Sequence, residues 1–281
     1  MSQNTKSYYI PGPSFWPLIA SISLFLLAGG FSMVLNKIAL GKPLMIAGGL
    51  TLAYLLFGWF SEVIKESISK FYNKQVDKSF RWGMGWFIFS EVMFFFGFFG
   101  ALFYSRNVSL PWLADTHGLI GADMLWQNFT AAWPSAGPSI KLEGAMKPWG
   151  LPAINTLLLL TSGVTLTWAH WGLMKNKRIQ IIVGLALTIA LGAAFLFLQY
   201  TEYAENAFTI KSGIYGATFY MLTGFHGLHV TMGAIMLSII LIRVLKGHFD
   251  SDEHFGFEAV AWYWHFVDVV WLFLFIFVYW L

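Results

Sequence analysis

Residues 80–105, FRWGMGWFIFSEVMFFFGFFGALFYS, decide the fold. Between Arg81 and Arg106 the run is almost wholly apolar and holds one ionisable residue, Glu91. As an α-helix rising about 1.5 Å per residue it is long enough to cross a bilayer. Glu91 lies ten residues after Arg81, hence roughly 15 Å in, near the midplane. An acid at that depth costs a few kcal/mol on insertion scales, of order 3 kcal/mol. It should therefore be protonated, hydrogen-bonded or turned into protein. Phe94, Phe95 and Phe98 follow it at helical spacing on the same face. Gly97 and Ala101 form a small-residue pair that would admit a neighbouring helix. Two readings fit Glu91: a functional acid among aromatics, or a buried acid that fixes helix packing.

The rest of the chain agrees with a membrane origin. Of 281 residues, 57% are hydrophobic and 11% charged, against roughly 25% charged in soluble domains. The apolar runs are continuous rather than alternating, which selects helices over a barrel. Seven spans are predicted, about 15–36, 43–65, 80–105, 153–174, 179–203, 213–245 and 257–281. This is an all-α polytopic membrane protein, a single transmembrane domain over 1–281. Pro17, Pro43 and Pro152 stand at helix starts, where the missing N–H matters least. Residues 1–14 lack a basic-then-apolar signal layout, so the first run is expected to be retained. Without cysteine, thiolate copper, iron–sulfur clusters, covalent c-type haem and disulfides are excluded.

Lys and Arg distribution sets the orientation. One side receives eleven: Lys6, Lys65, Lys70, Lys74, Lys78, Arg81, Lys175, Lys177, Arg178, Arg243 and Lys246. The other receives six, so the N-terminus is expected inside and the C-terminus outside. The 106–152 connection, with Trp112, Trp126, Trp133 and Trp149, is expected to be an ordered cap on the outer side. No internal repeat is visible, which disfavours an inverted-repeat transporter.

Several polar groups lie within spans. His226 and His229 are three apart in the sixth, beside a small-residue track of Thr223, Gly227 and Thr231. They could ligate haem or metal, or be neutral imidazoles bonded to neighbouring helices. His265 and Asp268, three apart in the seventh, could relay protons or satisfy one another. His170 ends the fourth at headgroup level. Glu202 and Glu205 close the fifth, where solvation would make them unremarkable. Lys65, Glu66 and Arg243 lie at inner span ends, suited to a lipid phosphate or to simple snorkelling.

With these residues in view, the chain resembles subunit III of cytochrome c oxidase, in the haem–copper oxidase superfamily. The resemblance is carried by FSEVMFFFGFF (89–99), LPAINTLLLLTSGVTLTWAH (151–170), AFTIKSGIYGATFYMLTGFHGLHVTMG (207–233) and HFGFEAVAWYWHFVDVVWLFLF (254–275). WFSEVIKES (59–67) and FRWGM (80–84) match more weakly. The likeness runs from about Trp16 to Leu281. It implies seven helices with the first two (about 15–65) splayed from a five-helix bundle (about 80–281) by a lipid-filled cleft. It implies that Glu91 is the family's buried, carbodiimide-reactive carboxylate. Lys65, Glu66 and Arg243 match lipid-headgroup contacts, and His226 and His229 match structural histidines. No metal ligand is expected in this chain; haem and copper belong to partner subunits I and II, with subunit I the main contact.

The implied complex passes electrons from cytochrome c to dioxygen and pumps protons, and this subunit sustains proton uptake and stability. Structural phospholipids are expected partners and nucleic acid is not. The family often shows two successive histidines where this chain has His170-Trp171, and a basic residue where it has Ser61. The 106–152 connection is longer than in the family's mitochondrial form, so by this resemblance a bacterial plasma membrane is expected rather than a mitochondrial inner membrane. The alternatives are subunit III of a quinol-oxidising relative, a stand-alone proton-coupled transporter using Glu91, Asp268 and His265, and a b-type haem protein.

Overall fold

A computed structural model describes residues 9–114, 126, 129–249 and 254–281. Lys6, used above for orientation, lies outside them. All regular structure among the described residues is helical: α1 (Trp16–Leu35), α2 (Gly41–Ile68), α3 (Lys74–Tyr104), α4 (Leu110–Leu113), α5 (Leu151–Met174), α6 (Arg178–Glu205), α7 (Gly213–Leu245) and α8 (Phe255–Leu274). A π-helical turn, Ser105–Ser109, joins α3 to α4, and another, Phe275–Trp280, extends α8. Counting α3 through α4 as one, seven helices among the described residues are long and apolar enough to span a membrane. The first turn of α3 starts earlier than hydropathy suggests. Asn73 Oδ1 accepts from the backbone N–H groups of Gln75 and Val76, capping the helix ahead of the apolar run.

The chain divides into two compact units, Met1–Trp82 and Gly83–Leu281, with the division inside α3. In the first unit α1 and α2 form an antiparallel hairpin at backbone contact. A Cβ on Gly48 would come within 2.8 Å of the Leu27 backbone nitrogen, so only glycine fits. Ser23 donates to the Gly48 carbonyl at 3.0 Å across the same seam. Lipid is as apolar as leucine, so such close packing and hydrogen bonding must supply the association.

In the second unit α8 is the spine, packed against α5 and α7. Trp264, fully buried, lies against Gly192 of α6 and Gly233 of α7, where a Cβ would stand 2.6 and 2.8 Å from its ring. Its indole N–H donates to Ser162 Oγ of α5 at 2.8 Å. One turn pair further on, the Trp271 N–H donates to Thr156 Oγ1 at 2.9 Å. An unmet buried N–H costs about 1–3 kcal/mol, so these two bonds fix the rotation of α8 against α5. From Gly83 onward α3 meets its neighbours through rings: Phe87 with Tyr263, Phe95 with Phe266, and Phe99 with Phe273 and Phe277.

The small-residue tracks expected to admit helices behave unevenly. Thr223 is buried and hydrogen-bonds the Tyr203 hydroxyl of α6 at 2.5 Å. Gly97 and Gly227 have nothing within 4 Å of a built Cβ among the described residues, and Ala101 and Thr231 are exposed. The 106–152 connection is ordered where it is described at 129–150. The Ser135 and Ala136 carbonyls accept from the Tyr215 and Ile214 N–H groups at 3.1 and 3.4 Å, meeting donors that α7 cannot satisfy internally. The Tyr215 hydroxyl accepts from the Met146 N–H at 3.0 Å, and Trp133 packs edge-on against the Tyr215 ring. Gly213, at φ 77°, is required there, because a Cβ would meet the Ala136 carbonyl oxygen at 2.0 Å.

Candidate functional site

Glu91 of α3 and His229 of α7, 138 residues apart, meet inside the second unit: His229 Nε2 is 2.9 Å from Glu91 Oε2. The ring's other nitrogen, Nδ1, is 2.6 Å from the Phe225 carbonyl oxygen one turn back. A carbonyl oxygen only accepts, so Nδ1 must carry a hydrogen. One further proton then bridges Nε2 and Oε2. Either a carboxylic acid donates to a neutral imidazole, or an imidazolium donates to a carboxylate. The two groups together carry no net charge in both arrangements, which removes most of the cost of an acid at this depth. The expectation that Glu91 is hydrogen-bonded or turned into protein is met by hydrogen bonding.

Aromatic rings wall the site. Phe94 and Phe95 lie 5.9 and 5.0 Å from the His229 ring centre, and Tyr263 stacks on it at 6.3 Å with a 14° interplanar angle. Glu91 keeps 23% of its side-chain exposure and His229 keeps 11%. The acid therefore stays reachable from one side while the imidazole is held.

His226 takes a different route. Its Nε2 is 3.1 Å from the Val267 carbonyl of α8, and its buried ring lies against Phe195 and Trp271. The two histidines thus reach different helices and do not converge on one point. His265 Nδ1 stands 3.6 Å from Asp268 Oδ2, an ion-pair distance too long for a hydrogen bond, and its Nε2 is 3.4 Å from Thr167 Oγ1. Asp268 is buried because Gly163 opposes it; a Cβ there would come within 2.5 Å of Oδ2.

In the first unit Lys65 is exposed, whereas both carboxylate oxygens of Glu66 are engaged. Tyr9 and Tyr72 donate their hydroxyls to it at 2.6 and 2.7 Å. Both phenols are pushed above the ordinary tyrosine range, Tyr9 chiefly by this hydrogen bond and Tyr72 chiefly by burial. Arg243, 9% exposed, lies over the Phe249 ring at 4.3 Å, beside Gly256 in the first turn of α8.

Two sites were not legible in the sequence. Glu202 is not a solvated end group. It is 2% exposed and accepts from the Tyr279 hydroxyl at 2.7 Å, because the π-helical turn after α8 carries Tyr279 onto α6. Glu205 is exposed, as expected. His170, at the end of α5, meets His254 and Glu258 at the start of α8, with Glu258 Oε1 3.7 Å from His170 Nε2 and 3.3 Å from His254 Nε2. The i, i+4 spacing of His254 and Glu258 was a signal for half of this cluster.

Among the described residues, seven apolar helices with polar groups paired between them define a helical integral membrane protein. The comparisons with known proteins narrow this. The family model described as cytochrome c oxidase subunit III matches residues 6–281. Cytochrome c oxidase subunit 3 of Hippopotamus amphibius is 43% identical over 281 residues, covering 100% of this chain and 99% of the relative. The Mus musculus and Oncorhynchus mykiss proteins of the same name are 44% and 42% identical, with the same coverage. The chain belongs to the cytochrome c oxidase subunit III family. It is therefore an integral membrane subunit of an oxidoreductase complex and works in company with other subunits.

Proposed function

We propose that the chain is a non-redox scaffold docked mainly on subunit I of a cytochrome c oxidase, with subunit II in the same complex. On this reading haem and copper sit in those partners. The complex takes electrons from cytochrome c, reduces dioxygen to water and pumps protons. This subunit sustains proton uptake and the stability of the catalytic subunit. The observation that carries the reading is the match along residues 6–281 to the subunit III family. The test is extraction in mild detergent and purification through a tag on this chain. Larger haem-bearing chains should travel with it; recovery of the chain alone, with proton-coupled flux after reconstitution, would overturn the proposal in favour of a transporter.

Glu91 is proposed as the functional carboxylate. Its support is the 2.9 Å contact with His229 Nε2 and the 23% of its side chain left exposed to a reagent or a proton donor. His226, His229, His265 and Asp268 are proposed as structural polar groups. Lys65, Glu66 and Arg243 are proposed as phospholipid contacts. For Arg243 the support is a guanidinium beside the first turn of α8, a combination that favours a phosphate. Glu66 would act by holding the Tyr9 and Tyr72 hydroxyls at the headgroup level. We place the N-terminus inside on the Lys and Arg asymmetry, and favour a bacterial plasma membrane on the length of the 106–152 connection.

A further inference from the structure

We propose that His170, His254 and Glu258 form a binding site for a divalent zinc-class cation at the end of the bundle where α5 finishes and α8 begins. The three side chains come from sequence positions 84 and 88 residues apart, and the fold brings one ligand atom of each within 4.8 Å of the others. The donor set is two imidazoles and one carboxylate, which suits a borderline cation such as Zn²⁺.

The geometry is close to that of a loaded site. With metal–ligand bonds of about 2.0–2.2 Å, ligand atoms at the corners of a tetrahedron stand roughly 3.4 Å apart. Glu258 Oε1 lies 3.3 Å from His254 Nε2 and 3.7 Å from His170 Nε2. Two of the three edges therefore already have near-coordinating length, and the third is no longer than 4.8 Å. His170 Nε2 is buried and makes no hydrogen bond among the described residues. A buried ring nitrogen 3.7 Å from a carboxylate oxygen, with no hydrogen bond of its own, is a polar group that a cation or a shared proton would satisfy.

The rings are held for the task. His254 is buried at the N-terminal boundary of α8, where its carbonyl accepts from the Phe257 and Glu258 N–H groups at 2.9 and 3.2 Å. The His170 ring packs against Phe257 at 5.5 Å. His170 and Glu258 keep 29% and 14% of their side-chain exposure, so the cluster is not sealed from the surface. Neither His226 nor His229 takes part, and the site departs from the expectation that this chain ligates no metal. A Zn²⁺ here would clamp the last turn of α5 to the first turn of α8 and carries no electron.

The test uses the purified oxidase complex containing this chain, equilibrated with Zn²⁺. Zinc-edge anomalous diffraction should place a peak at bonding distance from His170 Nε2, His254 Nε2 and Glu258 Oε1. Zinc content per haem after dialysis should fall by one equivalent in His254→Gln and in Glu258→Gln, with haem per protein unchanged as the check on assembly. No peak at the three atoms, at zinc concentrations that fill other sites on the complex, would overturn the proposal and leave a shared proton as the occupant. Equal zinc content in wild type and both assembled variants would overturn it too. If the variants fail to assemble, the anomalous map of the wild-type complex decides alone.

Discussion

Replacing Glu91 separates two chemistries that a static bond length does not. With Nδ1–H of His229 committed to the Phe225 carbonyl, Nε2 accepts in the neutral ring. Glu91→Gln puts an amide donor in the carboxyl's place and keeps a bond of ordinary strength, so it should cost under about 1 kcal/mol. Glu91→Leu leaves Nε2 facing no donor. His229 has only 11% of its side-chain exposure, so solvent relieves little of the loss. Side-chain bonds measured within membranes average about 0.6 kcal/mol and reach about 1.7, and unmet buried groups cost about 1–3 kcal/mol. The expectation for Leu is thus about 1–2 kcal/mol.

Removing both groups, Glu91→Leu with His229→Leu, takes away the orphan as well and should be milder than Glu91→Leu alone. The assay is the temperature at which this chain is released from the solubilised complex. Glu91→Leu should lower it by about 2–8 °C, Glu91→Gln by less than half of that, and the double variant should recover part of the loss. Equal losses for Gln and Leu would refute the shared-proton geometry. So would a double variant worse than either single one.

Three other outcomes follow from the packing. Gly213→Ala must push the Ala136 carbonyl off the start of α7 and strain φ 77°, a cost of about 1–3 kcal/mol; faster proteolysis within residues 129–150 of the assembled complex would report it, and unchanged digestion would contradict the cap. Ser162→Ala strands the Trp264 indole N–H in a site without solvent and should cost about 1–3 kcal/mol, whereas Ser162→Thr overpacks but keeps the acceptor; equal release temperatures for Ala and wild type would argue against that bond. The tyrosines on Glu66 give a pH dependence. A raised phenol favours its protonated form in the folded state, so this anchoring is complete below the ordinary tyrosine pKa of 10.0 and is lost as pH rises through the raised values. Tyrosinate absorbance in wild type against Tyr72→Phe should differ only in the strongly alkaline range; a difference near neutral pH would remove the assignment.

The seven spans were readable because lipid imposes one rule on every stretch that crosses it, and continuous apolarity reports that rule locally. Glu91 was readable as exceptional for the same reason. Its partner was not: His229 lies 138 residues away, and nothing in one sequence says which of several intramembrane histidines an acid will meet. Glu202 was misread because the depth of a helix end depends on what covers it, here a tyrosine delivered by a π-helical turn that hydropathy does not encode. The His170 cluster was hidden by the same distance problem, although His254 and Glu258 alone had the right spacing. Of the small-residue tracks, Thr223 meets α6 through Tyr203, whereas Gly97 and Gly227 face no other described residue of this chain, a difference that spacing alone does not encode.

The cap on α7 also constrains how the chain is made. Residues 135 and 136 leave the ribosome long before residues 214 and 215, to which they bind. At about 5–20 residues per second the segment waits roughly 4–16 s for its partner. During that interval α5 and α6 enter the bilayer with the segment still unattached at their entrance. The last step of sealing that end therefore belongs to the birth of α7, and a ribosome stalled before residue 213 would leave a hairpin with an undocked tether.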